Sequence, residues 1–123
     1  MPVRSMTDFP PGVAPMLDLT PEQLAAVRAI LAQRVPGREV RAFGSRVTGR
    51  AWRYSDLDLV VMGDAPLPAL TLAHLRADFE DSDLPFRVDV VEARELPADS
   101  PAAAGDETAL IQPAAGGLDA AAR

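Results

Sequence analysis

At 123 residues with 48% hydrophobic side chains, the chain has material for one small domain, roughly 80 to 95 folded residues around one modest core. It contains no cysteine, which excludes a disulfide framework, a thiolate metal site and a cysteine nucleophile, and it has neither an apolar leader nor a membrane-length apolar run, which reads as a cytoplasmic protein with no membrane partner. Its net charge of −6 is partitioned: residues 38–55 hold five arginines and one glutamate, residues 56–123 hold fourteen acids and four arginines, and so acidic a chain is not a general binder of nucleic acid.

The first 18 residues, with Pro2, Pro10, Pro11 and Pro15 and little periodicity, read as a flexible N-terminal arm. A helix then starts on a clear signal: Thr20 as N-cap, Pro21 at the first helical position and Gln23 closing a capping box. Leu24, Val27, Ile30 and Leu31 form its apolar stripe, and Val35-Pro36-Gly37 ends it. A strand follows from about Glu39 to Phe43. Gly44 and Ser45 then make a tight turn into a short helical segment, Arg46 to Gly49, with Ser45 expected as its N-cap. A strand, a turn and a helix start together make an anion site, because free backbone N–H groups point above the turn and Gly44 lets a phosphate come close. The arginine-rich island around this turn suits one compact polyanion such as ATP, or else is an ordinary solvated surface.

The loop Ala51-Trp52-Arg53-Tyr54-Ser55 leads to Asp56-Leu57-Asp58-Leu59-Val60-Val61-Met62, which has the composition of a buried strand. Trp52 and Tyr54 are able to stack on a base or meet a partner, but are expected to cover the edge of the core. Asp56 and Asp58 share one strand face while Leu57 and Leu59 face the core. Like charges 4 Å apart repel by about 4 kcal/mol at an effective dielectric of 20, so a hard cation is expected between them. Gly63 to Pro68 is a turn, and Leu72, Leu75 and Phe79 give a second amphipathic helix over 69–81. His74 reads as a half-exposed helix residue. Asp81-Ser82-Asp83 repeats the Asp-x-Asp spacing at a helix end with no Gly-Ser turn upstream, and reads as a solvated loop. A third strand, Phe86 to Val91, places Arg87, Asp89 and Val91 on one face. From the residues alone, Asp89 serves equally well as an ion-pair partner of Arg87 or Arg94. Beyond Leu96 the chain reads as a mostly disordered tail over 97–123, with Asp106 to Gln112 able to form a short strand or turn.

Gly44-Ser45, ten intervening residues and Asp56-x-Asp58, with Arg46 and Gly49 inside the gap, resemble the signature of minimal nucleotidyltransferase (MNT) domains of the DNA polymerase beta superfamily. The resemblance spans roughly residues 20–96 and puts Asp89 in the position of the family's third carboxylate. It implies an α/β (α+β) domain over 19–96, a small mixed sheet flanked by helices, and transfer of a nucleoside monophosphate from an NTP to a hydroxyl. By that resemblance Asp56, Asp58 and Asp89 would be catalytic and hold two Mg²⁺ (or Mn²⁺). Gly44, Ser45 and Arg46 would bind the nucleotide, with ATP as the substrate. Short members of the family resemble antitoxins that place AMP on a tyrosine of a separate HEPN-domain RNase toxin. Nucleotidylation of a small molecule, or neutralisation of a toxin by contact alone, are the alternatives.

Overall fold

The computed structural model describes residues 17–52 and 54–115. The arm expected over residues 1–18 therefore lies almost wholly outside the described residues, as does the end of the chain from 116. Helix α1 (Pro21–Arg34) begins as the sequence dictates: Thr20 Oγ1 accepts from Gln23 N at 3.1 Å and Gln23 Oε1 accepts from Thr20 N at 3.0 Å. Strand β1 (Val40–Phe43) runs into the one-turn helix α2 (Ser45–Thr48), and strand β2 (Leu57–Val61) follows. Helix α3 (Ala69–Glu80) leads to strand β3 (Val88–Glu92), and two short 3-10 turns, Ala93–Glu95 and Pro101–Ala104, lead to strand β4 (Ala109–Gln112).

The four strands form one sheet in the order β3-β2-β1-β4, with β2 parallel to β3 and the other two pairs antiparallel. The result is the small mixed sheet with flanking helices that the sequence predicts. Register fixes which residues share a row. Ala109, Ala42, Leu59 and Val90 lie side by side, and all four belong to or pack on the apolar core with Val27, Leu31, Leu75 and Phe79 of the helices. One row toward the other end of β2, on the opposite face, come Phe43, Asp58 and Asp89. A bidentate ion pair joins the helices, Arg34 Nε and Nη2 to Asp78 Oδ2 and Oδ1 at 2.5 and 3.2 Å, and holds the Asp78 carboxyl below its ordinary range.

The fold runs past the boundary expected at residue 96. Ile111 of β4 is 1% exposed and part of the core. Its carbonyl accepts from Arg28 Nε at 3.0 Å, while Gln112 Nε2 donates to Val35 O and Arg38 O, each at 2.9 Å. Composition hides this strand because it is four residues long behind a Pro- and Ala-rich stretch, and pairing with β1 supplies what local pattern lacks. Among the described residues no helix is long and apolar enough to cross a membrane.

Ile111→Ala tests whether β4 belongs to the cooperative unit. The expected cost is about 2 to 5 kcal/mol, from lost apolar burial and the cavity left behind. Urea titration reads it, and a change below about 0.5 kcal/mol would show that the sheet is complete without its last strand.

Candidate active site

The site is built where three chain segments meet at one end of the sheet. Strand β1 ends there, and β2 and β3, being parallel to each other, both begin there. Asp58, second residue of β2, therefore has Phe43 as register partner on one side and Asp89 on the other. Asp56 stands one residue before β2. Asp56 and Asp89 are exposed, and Asp58 is half-buried between them and the sheet. Desolvation by this burial, then the negative charge of Asp89 and of Asp56, pushes the Asp58 carboxyl up from 3.8 to about 6. The structure thus brings all three predicted carboxylates into one electrostatic cluster.

Gly44 is part of the same arrangement. Its backbone has φ 86° and ψ −156°, a region essentially closed to residues with a side chain, and a Cβ there would overlap Asp58 Oδ2. So the turn and the carboxylate strand are in direct contact, and glycine is required twice over, by conformation and by space. The expectation that Ser45 caps the short helix does not hold: Gly44 is the N-cap, no side chain caps the helix, and Ser45 is its first residue. Val47 N and Thr48 N donate to Gly44 O at 3.0 and 3.1 Å, which closes the turn.

Arg46 occupies a different place from the one its motif position suggests. It is 4% exposed, and its Nε, Nη1 and Nη2 donate to Ser55 O, Asp18 O and Trp52 O at 2.9, 3.0 and 3.4 Å. Its guanidinium carbon lies 4.0 Å from the centroid of the Phe86 ring. The side chain points under the loop, toward the core side, where its donors meet backbone carbonyls. The inward direction of a one-turn helix residue is not readable from local sequence, and Phe86, just ahead of β3, is the partner that sequence reasoning did not connect to it.

Trp52 and Tyr54 correct another expectation. They do not cover the core: they are 65% and 53% exposed and pack edge to face, ring centroids 5.5 Å apart. Asp81 and Asp83 are exposed at the end of α3, and His74 is exposed on that helix, as read from the sequence.

The donor set is carboxylate oxygen throughout, which suits a hard cation such as Mg²⁺ and not a soft one. Among the described residues, no three acidic or imidazole side chains sit close enough to enclose a metal ion by themselves.

Three comparisons bear on this geometry. A family model described as "Nucleotidyltransferase domain" matches residues 24–109. The chain is 50% identical over 76 residues, 62% of its length and 67% of the relative's, to a protein of Haemophilus influenzae named "Probable protein adenylyltransferase MntA". A solved structure titled "Crystal structure of the toxin-antitoxin with AMP-PNP" shares the fold at TM-score 0.57 and 20% identity, over 79% of this chain and 78% of that one.

Two outcomes follow from the carboxylate cluster. Between pH about 4 and about 6 the folded chain keeps a proton on Asp58 that the unfolded chain has released, so stability falls as pH rises through that window and the penalty is complete above it. Asp58→Asn removes the penalty. Without divalent cations, its stability relative to wild type should therefore rise from pH 4 to pH 7, as read by urea midpoints; a constant difference would mean that the Asp58 proton is not linked to folding. Gly44→Ala should cost more than the roughly 1 to 3 kcal/mol of its backbone strain alone, because the Asp58 carboxylate must also move.

Proposed function

The chain belongs to the nucleotidyltransferase domain family and is a nucleotidyltransferase, and from that premise we propose that it moves AMP from ATP to a hydroxyl of a partner protein, as the antitoxin of a HEPN-toxin pair in the cytoplasm. The observation that carries the reading is the row Phe43, Asp58, Asp89 with Gly44 against Asp58, which joins a phosphate-sized turn to three carboxylates at one sheet end. The likeness to the Haemophilus influenzae protein, whose name is that of a protein adenylyltransferase, supports a protein acceptor. So does the architecture, since the described residues form one sheet with its helices and no second layer for holding an acceptor.

In this reading the backbone N–H groups of the Gly44–Ser45 turn and the Ser45 hydroxyl receive the β and γ phosphates. The acceptor oxygen attacks the α-phosphorus in line, the bond from that phosphorus to the bridging oxygen breaks, and pyrophosphate leaves with the electron pair. The proton of the hydroxyl passes to Asp89, an exposed carboxylate of the cluster on the edge strand β3. Asp56 and Asp58 would hold two Mg²⁺, with Asp89 completing the set, and Mn²⁺ able to replace them. Bound there, such ions supply charge neutralisation on the transferring phosphoryl oxygens and acidify the attacking hydroxyl. Arg46, buried beneath the loop, takes no phosphate in this account.

Label transfer from α-³²P-ATP to the partner protein tests the proposal together with Asp58→Asn. Wild type should label the partner and release pyrophosphate, and the variant should fold and bind the partner while labelling it at least about 100-fold more slowly. Full neutralisation of the toxin by Asp58→Asn would sink the enzymatic account and leave masking by contact as the mode of action.

A further inference from the structure

Arg46 is the point at which the three segments that carry the site are tied together. Its backbone lies directly after Ser45 of the phosphate turn. Its Nε holds Ser55 O at 2.9 Å, and Ser55 is the residue before Asp56. Its guanidinium rests on the ring of Phe86 at 4.0 Å, three residues before Asp89. Its Nη1 donates to Asp18 O at 3.0 Å while its own carbonyl accepts from Asp18 N at 2.7 Å, so the strand of chain leading into α1 is locked to it from both sides. Next to this junction, Leu57 N donates to Arg87 O at 2.8 Å, the bond by which the start of β2 is pinned to the residue after Phe86.

We propose that Arg46 is a positioning residue: its planar guanidinium sets the spacing of the Gly44–Ser45 turn, Asp56–Asp58 and Asp89 without touching nucleotide, metal or acceptor. The inference rests on the reading of these residues as a nucleotidyl-transfer site. Its geometry is suited to the task, because a guanidinium offers up to five N–H donors in one fixed plane and stacks on an aromatic face, which an ammonium on a flexible stem cannot copy. The carboxylates need such a brace. Asp58 is under pressure from the charges of Asp89 and Asp56, and a loop free to relax would let Asp56 swing away from the other two. Arg46 is 4% exposed, and its guanidinium is taken up by three backbone carbonyls and the Phe86 ring.

Arg46→Lys separates this role from its rivals, since lysine keeps the charge and loses the fork. The expected result is a folded protein whose kcat for AMP transfer falls about 100-fold, the loss typical of an ångström-scale misplacement, with KM for ATP within about threefold of wild type. Mn²⁺ alone should also raise its melting temperature by less than it raises that of wild type, although all three carboxylates are intact. Phe86→Leu, which keeps an apolar filling but removes the ring, should lie between the two proteins in both readouts. Three outcomes would overturn the proposal. Recovery of wild-type kcat by lysine but not by Arg46→Ala would show that charge is what matters. A raised KM for ATP with kcat unchanged would show ligand contact. A lowered melting temperature with kcat and the Mn²⁺ response of the folded fraction both unchanged would show a purely structural part. If the wild type itself transfers nothing, it is the function proposed above that fails, and the Mn²⁺ comparison between wild type and Arg46→Lys still decides the role of Arg46.

Discussion

The contact between Gly44 and the Asp58 carboxylate is the constraint on which the rest of this fold depends. A sheet with β2 antiparallel to β1 and parallel to β3 has one end at which β1 finishes while β2 and β3 start. At that end the Gly44–Ser45 turn meets the first side chains of two parallel strands. Asp58 sits at the crossing, paired in register with the residue before Gly44 on one side and with Asp89 on the other. Any residue larger than glycine at 44 would push the carboxylate out of line, so the turn and the carboxylate strand cannot drift apart as independent features. They are two sides of one steric contact.

The two faces of the sheet divide the work. Leu57, Leu59 and Val61 of β2 meet the helices and are fully buried, as are Val27, Leu31 and Leu75 opposite them. The other face begins with Asp58 and continues with Val60, also fully buried, between its register partners Arg41 and Val91. Charge returns farther along the sheet only with partners: Arg41, the register partner of Val60, pairs with Glu39, and the buried Glu92 at the far end of β3 accepts from Leu67 N at 2.8 Å. A functional constellation presented from strands in this way is held more firmly than one on loops, and its Asp56 member, which precedes the strand, is the one that relies on bracing from outside the sheet.

How much of this could be read from the chain depends on the range of the forces involved. The capping box at Thr20 and Gln23 was legible because it is a contact over three residues, and the Gly44–Ser45 turn and the shared face of Asp56 and Asp58 were legible because turn and strand geometry are local, while what joins them came from the resemblance to minimal nucleotidyltransferase domains. Strand β4 was legible only as a short strand or turn somewhere in Asp106 to Gln112, inside a tail read as mostly disordered, since Ala109–Gln112 takes its conformation from β1, from Arg28 and from the backbone of the Val35–Arg38 turn, all distant in sequence. The inward aim of Arg46 was hidden for the same reason, its partners Asp18, Ser55 and Phe86 coming from three separate segments. Nor could alternation predict the exposure of Trp52 and Tyr54, because a loop has no fixed face, and the two rings pack on one another in the open.

The carboxylate cluster also explains why the core must be as complete as it is. A half-buried carboxyl titrating near 6 is ionised at neutral pH at a cost to the folded state, and that cost is relieved by whatever positive charge arrives. A domain with little core to spare can carry such a site only if the destabilised end is small and the remainder is well packed. Here the apolar rows begin one residue beyond Asp58, the helices are joined by Arg34 and Asp78, and β4 closes the free edge of β1. The last strand, distant from the carboxylates, thereby helps to make them tolerable: without the burial of Ile111 and the pairing to β1, the strand that leads into Gly44 would be an open edge, and the turn it delivers to Asp58 would lose its fixed position.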